Sequence, residues 1–352
     1  MSSVNIGRID KASRMAVFGG GGFIGSHLIK GLTAKRYTSV LCLDLVEDKL
    51  QRLVPGAGFE FRRCDIRQED QVVRAVIEES DLVIDLVAYA NPIVYIESPL
   101  EVVELNLFDN LKIVDHCARL GTPLIQFSTC EVYGKTGGSE DSFNEDTTDL
   151  ILGPVGNHRW IYSCAKQLLE RIIHARGLRG EIDYVIIRPF NFIGPEMDYL
   201  VESPSEGIPR VFPSFLSALI HGQPMYLVDG GGSKRTLTYI DDAVEAILLI
   251  IENLDRLRNE IVNIGSPQNE VSMRELACLM RELYEEIAGE ASTARIMDVP
   301  AEVFYGEGYE DCDRRIPDIS KLARLGWRPR HDLDRTLRKS IQYYCATRLA
   351  SR

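Results

Sequence analysis

The stretch Met15-Ala16-Val17-Phe18-Gly19-Gly20-Gly21-Gly22-Phe23-Ile24-Gly25-Ser26-His27 decides the fold. Four apolar residues read as a short buried strand, and residues 23–32 read as an amphipathic helix. Between them Gly19, Gly22 and Gly25 take GxxGxxG spacing. Glycines there permit a tight turn and bring backbone close to a pyrophosphate, whose charge meets the positive end of the helix. Phe23 and Ile24 open that helix and belong to the same expected contact surface. The spacing is common when it stands alone.

Residues downstream strengthen it. Asp44 ends the strand Val40–Asp44, about 20 residues on, where a carboxylate accepts hydrogen bonds from ribose hydroxyls. A carboxylate there repels the additional phosphate of NADP, so NAD is the expected cofactor. Asp65-Ile66 follows a strand-like piece at 59–62 and is placed to meet the adenine. Ala88, just past a strand at 82–87, completes the expected cofactor set.

The same alternation continues along the chain. Helices are expected at 68–78, 100–120 and 162–174, with strands at 123–128 and 184–188. Short apolar strands separated by helices predict an α/β, Rossmann-like doubly wound parallel sheet with right-handed crossovers. Residues 1–190 are read as the NAD-binding domain, with its core starting at 14. Beyond them the texture changes to Gly/Pro-punctuated stretches at 191–213 and 229–233, helices at 241–252 and 272–288, and strands Met225–Val228 and Glu260–Ile264. Residues 191–352 are therefore read as mainly a smaller C-terminal α/β substrate-binding lobe, with some return of the chain to the first sheet. The loops 135–145 and 197–209 are long and polar, which suits either lids or plain surface excursions.

Composition narrows the partners. The 352 residues are 45% hydrophobic and 26% charged, with a net charge of -12. That acidity argues against nucleic acid, because phosphate contacts need clustered Lys and Arg. An anionic small substrate then requires a local cationic pocket. The first 13 residues are polar and no apolar run is long enough to span a membrane, so no signal peptide or membrane segment is expected. Eight scattered cysteines without CxxC pairs suit a reduced, cytoplasmic protein with no metal site.

Tyr162 and Lys166 form a YxxxK pair at i, i+4, on one face of a helix. An ammonium beside a phenol is expected to lower its pKa, making it a base near neutrality. The bland reading is an exposed helical pair. The position of the pair between the glycine turn and the strand at 184–188 favours catalysis.

With Ser128-Thr129-Cys130-Glu131-Val132-Tyr133-Gly134 at a strand end and Arg188-Pro189-Phe190-Asn191 later, the chain resembles the extended short-chain dehydrogenase/reductase superfamily over roughly residues 14–345. Within it, the chain resembles UDP-glucuronate decarboxylases, including UDP-xylose synthase and the decarboxylase domain of the bifunctional polymyxin-resistance enzyme. The segments that carry this are Ala90-Asn91-Pro92-Ile93-Val94-Tyr95, Arg159-Trp160-Ile161-Tyr162-Ser163, Gly230-Gly231-Gly232-Ser233-Lys234-Arg235, and Tyr305-Gly306-Glu307-Gly308-Tyr309-Glu310-Asp311 running on to Arg314-Arg315-Ile316-Pro317.

The resemblance implies that Thr129 and Cys130 contact the sugar near its 4-hydroxyl and that Glu131 faces carbons 5 and 6. Tyr162 would abstract the 4-hydroxyl proton, assisted by Lys166, while hydride passes to NAD. Ala90, Tyr95, Arg159, Asn191, Tyr226, Lys234, Arg235 and Tyr309 would contact the UDP-sugar. Arg315 would be a cation near the carboxylate, against a plainer role as a structural ion pair or diphosphate contact. The implied substrate is UDP-glucuronate, the implied products are UDP-4-ketopentose and UDP-xylose, and the implied assembly is a homodimer through helices 100–120 and 162–174.

Cys130 departs from the serine usual in these decarboxylases. Three readings stand for it: a tuned sugar contact, a neutral replacement, or an acid catalyst. A UDP-glucuronate 4-epimerase and a nucleotide-sugar dehydratase are the alternative enzymes. A regulator that binds NAD without turnover is the alternative from another class, and it predicts loss of the YxxxK pair or of the glutamate, all of which are present.

Overall fold

The computed structural model describes residues 9–51, 58–137, 142–197, 200 and 210–350. Parts of both long loops (138–141, 198–199 and 201–209) lie outside the described residues.

The strands in chain order are β1 Met15–Phe18, β2 Val40–Asp44, β3 Phe59–Arg63, β4 Leu82–Asp85, β5 Leu124–Phe127, β6 Tyr184–Pro189 and β7 Phe192–Ile193. They continue as β8 Met225–Val228, β9 Lys234–Thr236, β10 Thr238–Tyr239, β11 Glu260–Ile264, β12 Glu270–Ser272, β13 Ile296–Val299 and β14 Arg314–Arg315. The helices are α1 Phe23–Ala34, α2 Asp70–Glu78, α3 Pro92–Glu97, α4 Pro99–Val103, α5 Asn110–Leu120 and α6 Ile161–Leu178. After them come α7 Val211–His221, α8 Ile240–Glu252, α9 Met273–Ala288, α10 Ala301–Tyr305, α11 Ser320–Arg324 and α12 Leu333–Ala350.

Seven strands form one sheet in the order β11-β6-β5-β4-β1-β2-β3, parallel throughout. This is the doubly wound order with a seventh strand added, and its switch point lies between β1 and β4. Residues along β1 alternate between two cores. Met15 and Val17 pack with α1 and α8, whereas Ala16 and Phe18 pack with α2, α5 and α6. Both faces are covered, which is why the strands are continuously apolar rather than alternating. At Gly31 an added Cβ would come within 2.6 Å of Val244, so α1 and α8 approach as closely as a missing side chain allows.

The helix expected at 100–120 is divided. Between α4 and α5, Glu104–Asp109 forms a π-helical turn. The wider turn brings the fully buried side chains of Asn106 and Asn110 into the protein. Such bulges recur at functional sites. Helices α7 and α12 escaped the sequence reading. Glu260–Ile264 joins the large sheet through β6, although the sequence alone set it among the later lobe's pieces.

The later part of the chain builds a small sheet, β12-β9-β14, whose β9 is tied to Asn191 just past the end of β6. In it Arg315 stands opposite Arg235. Two arginines 80 positions apart in sequence thus become neighbours.

Candidate active site

The glycine turn is as tight as its sequence suggests. Gly19 has φ +77°, and a Cβ on Gly25 would lie 2.4 Å from the Gly19 carbonyl oxygen. The crowding is equally severe at two glycines the spacing did not single out. A Cβ on Gly20 would meet Cys42 Sγ at 2.4 Å, and one on Gly21 would meet the Val46 carbonyl at 2.0 Å. Gly22 caps α1 and is less constrained, with its nearest neighbour at 3.3 Å. Phe23 is buried and Ile24 half-buried behind the turn.

Asp44 Oδ2 accepts from the Gly21 backbone N–H at 2.9 Å, which fixes the second strand's carboxylate against the turn. The residues therefore fit a dinucleotide: a backbone cradle without side chains, a helix N-terminus and a carboxylate at the next strand end. Asp65 is less available than expected. Arg67 holds its two oxygens in a fork at 2.9 and 2.8 Å and, as the largest influence, lowers its pKa. Ile66 is buried, and Ala88 is half-buried beyond β4. The neighbouring Tyr89 gives its N–H to Asn106 Oδ1 (3.0 Å) and takes Asn106 Nδ2 on its carbonyl (3.2 Å). Asn106 is a structural determinant the sequence reading missed, because a π-turn leaves no distinctive period.

Tyr162 and Lys166 are not an exposed pair: their exposures are 4% and 1%. Lys166 Nζ donates to the Phe127 carbonyl at the end of β5 (3.1 Å). The ring of Tyr162 stacks on Tyr95, centroids 4.6 Å apart and planes within 11°. Thr129 hydrogen-bonds to Tyr162 and also accepts from the Glu131 N–H at 3.1 Å, capping the short turn Cys130–Tyr133.

The electrostatics differ from the expectation of a lowered tyrosine pKa. Burial raises Tyr162 above the ordinary phenol range, the Glu131 charge adds to this, and the Thr129 hydrogen bond only partly opposes it. The perturbed cation is Lys166, which burial lowers to about 8 against the pull of Asp85 and Glu170. For Tyr162, desolvation is the largest influence, and the lowering effects of the Thr129 hydrogen bond and Arg159 do not offset it.

Glu131 lies between two arginines. Arg159 Nη1 is 2.5 Å from one oxygen and Arg315 Nη1 is 3.4 Å from the other. Burial alone would raise this carboxyl, but Arg159 and Arg315 outweigh it and hold the pKa below the usual value. Both guanidiniums are buried, and each has an Nε with no hydrogen-bond partner among the described residues. The Arg159 guanidinium also faces the rings of Tyr95 and Tyr309, at 5.3 and 6.0 Å. Tyr309 stacks on Tyr305 at 4.0 Å.

Asp311 closes the cluster, 2.5 Å from Arg235 and 3.3 Å from Arg315. Burial pushes its pKa up, yet Arg235, Arg315 and Arg159 bring it down to about 2. Cys130 is buried in the same cluster, and burial keeps its thiol above the usual range although Arg315 opposes the shift. The thiol therefore carries its proton.

Of the remaining sequence candidates, Arg235 is placed in the cluster but spends hydrogen bonds on the Lys234 and Cys312 carbonyls. Lys234 is exposed and Ala90 is exposed at the rim. Tyr226 is 37% exposed and tilts against Phe304 at 5.8 Å. Asn191 adopts φ +40° and donates to the Thr236 carbonyl at 3.3 Å. Asp311 and Tyr305 lie within the 305–311 segment, but the sequence marks neither as a site residue. Their role shows only when β14 pairs with β9.

The family described as NAD dependent epimerase/dehydratase matches residues 15–265. The chain is 41% identical over 364 residues to "UDP-D-apiose/UDP-D-xylose synthase 2" of Arabidopsis thaliana, covering 97% of this chain and 93% of that one. It is 42% identical over 352 residues to "UDP-D-apiose/UDP-D-xylose synthase" of Oryza sativa subsp. japonica, covering 94% and 88%. Among solved structures, the PbgP3 protein from Burkholderia pseudomallei matches with TM-score 0.85 and 35% identity over 97% of this chain and 98% of that one. The same sheet order, glycine turn and Tyr162–Lys166 pair thus agree with sequence likeness along the chain, which belongs to the NAD-dependent epimerase/dehydratase family.

Proposed function

We propose that the protein is an NAD-dependent UDP-glucuronate decarboxylase, which oxidises carbon 4 of the sugar and releases carbon dioxide. The observation that carries this reading is the buried cluster Arg159–Glu131–Arg315, set beside Tyr162 with unpartnered guanidinium nitrogens. In a chain of net charge -12, such a cluster suits an anionic sugar rather than a neutral one. The relatives' names add the product, a UDP-pentose.

Bound by the glycine turn and Asp44, NAD would supply the hydride acceptor for carbon 4 and a positive charge favouring the phenolate form of Tyr162, whose proton passes to solvent. Tyr162 then takes the 4-hydroxyl proton, with Lys166 charged beneath it and Thr129 ordering the phenol. The resulting ketone lies β to the carboxylate on carbon 5. Breaking the bond between carbons 5 and 6 sends its electron pair into the new carbonyl and frees carbon dioxide. Arg315 binds the carboxylate while it is there, and Glu131 positions Arg159 and Arg315 around carbons 5 and 6. Protonation of carbon 5 gives UDP-4-ketopentose, and reduction at carbon 4 gives UDP-xylose.

A second outcome starts from the same intermediate, and the proton-bearing Cys130 together with the relatives' double name favours it. With carbon 4 a ketone, removal of the 2-hydroxyl proton lets the bond between carbons 2 and 3 break into the carbonyl. Bond formation from carbon 4 to the carbon-2 aldehyde leaves carbon 3 as an exocyclic aldehyde, whose reduction yields a branched UDP-pentose. A protonated thiol beside the reacting carbons suits these proton transfers better than a thiolate. This assigns Cys130 the acid-catalyst role among its three readings.

Three supporting features belong to the same proposal. The chain divides near residue 190 into a cofactor domain and a substrate lobe. Leu100, Phe108 and Leu168 are 80%, 52% and 48% exposed on the helices expected to pair, which supports a homodimer. No helix among the described residues is long and apolar enough to cross a membrane, and all eight cysteines are free, which supports a cytoplasmic location.

Incubation with NAD and UDP-glucuronate, followed by product mass and NMR, tests the reading. Carbon dioxide loss with a UDP-pentose supports it, an isomer of unchanged mass supports an epimerase, and no turnover sinks both. In the same assay Cys130→Ser shifts the ratio of ketopentose, xylose and branched product, and an unchanged ratio removes that role for Cys130. A Tyr162→Phe protein that keeps its full biological effect would revive the regulator reading.

A further inference from the structure

Beneath the candidate site lies a buried polar group that takes no part in the reaction above. Asp85 ends β4 with no exposed surface and stands opposite Gln126 of β5. Its Oδ1 accepts from the Val87 N–H at 3.0 Å, and its Oδ2 accepts from Gln126 Nε2 at 2.9 Å. The same amide nitrogen lies 3.3 Å from Asn110 Oδ1 and 3.5 Å from the Phe127 carbonyl oxygen. That carbonyl is the one to which Lys166 donates at 3.1 Å. Polar contacts therefore run without a break from the Asp85 carboxylate, through Gln126 and the Phe127 carbonyl, to the Lys166 ammonium.

A wholly buried carboxylate is costly unless an opposite charge faces it. Burial raises the Asp85 carboxyl above its usual pKa; among the described residues Lys166 is the one cation opposing that shift, followed by the Gln126 and Val87 hydrogen bonds. From the other side, the carboxylates acting on Lys166 are Asp85, from β4, and Glu170, from its own helix. Glu170 is already held by Arg188 in a buried fork at 3.0 and 2.6 Å. Asp85 is left as the carboxylate whose charge is not matched elsewhere. Gln126 supports this assignment, since it turns its NH2 toward the carboxylate and leaves its own buried Oε1 without a donor.

We propose that Asp85 is a positioning residue for Lys166, a buried counter-charge clamped by Gln126 that keeps the ammonium charged and seated on the Phe127 carbonyl. The proposal rests on reading Tyr162 and Lys166 as the catalytic pair. Burial drives Lys166 toward the neutral amine, and without Asp85 only the already paired Glu170 resists. A neutral Lys166 no longer helps Tyr162 give up its proton, so the reaction fails at its first step at a lower pH than otherwise.

The test needs no turnover. In the full-length protein with 13C-labelled lysine ε-carbons, the Lys166 resonance, assigned by its loss in Lys166→Met, is followed against pH. For the wild type a midpoint of about 8 is expected, burial lowering Lys166 against Asp85 and Glu170. Asp85→Asn should move this midpoint down by roughly one unit, and Gln126→Met should move it the same way by less. The alkaline limb of kcat on UDP-glucuronate should follow the midpoint. An unchanged midpoint in a folded Asp85→Asn protein overturns the proposal. If Asp85→Asn does not fold, the Gln126→Met midpoint decides by the same criterion. Absence of turnover on UDP-glucuronate counts against the proposed function and leaves the titration to judge Asp85.

Discussion

At the scale of single residues, the site is a matter of which charges outweigh burial. Glu131 and Asp311 are both buried carboxyls, and both are held ionised because arginines surround them. Tyr162 and Cys130 lack enough compensating charge, so both keep their protons. Asp311 offers a clean measurement. Its folded pKa of about 2 lies below the unfolded value of 3.8, so its contribution is fully present above 3.8 and is lost as pH falls toward 2. Asp311→Asn should cost on the order of 2 kcal/mol in urea unfolding at pH 7, and the gap to wild type should narrow steadily in acid. A pH-independent gap would show that Asp311 acts through packing rather than charge. These roles were only partly legible in the chain. Tyr162, Lys166, Glu131, Arg159 and Arg315 carry motif spacing, whereas Asp311 owes its role largely to Arg235 and Arg159, and Asp85 to Gln126 and Lys166, all more than 40 positions away.

At the scale of elements, the strands of the main sheet and the first helix could be read directly because their apolar runs are short and separated by helical stretches, whereas the two- to four-residue strands β7, β9, β10, β12, β13 and β14 could not. The π-turn Glu104–Asp109 could not, since a helix with one wider turn keeps nearly the same apolar face. Helix α12 was hidden for another reason: charged and apolar residues are mixed along it, and what it packs against is known only in the folded chain. The π-turn makes its own prediction. Asn106 satisfies both backbone groups of Tyr89, so Asn106→Leu leaves a half-buried donor and acceptor unmatched. A loss of about 2 kcal/mol is expected, measured by chemical unfolding. A loss below a few tenths would mean that the 88–90 loop finds other partners.

At the scale of the molecule, the two parts of the chain are interlocked rather than strung together. Strand β11 comes after the first substrate-lobe elements yet pairs along the whole of β6, and α8 packs against α1 through Gly31. A chain ending at residue 190 should therefore be poorly soluble, while one reaching past residue 264 should be markedly better, as judged by the soluble fraction after expression. Equal solubility would show that the β6 edge needs no cover. The same strand has a temporal meaning. During synthesis β6 leaves the ribosome some seventy residues before β11, and for that interval the growing chain presents an open, apolar sheet edge able to recruit a stray strand. The cofactor half is thus made first but sealed last, and the chain's most vulnerable moment falls after its dinucleotide turn has already been synthesised.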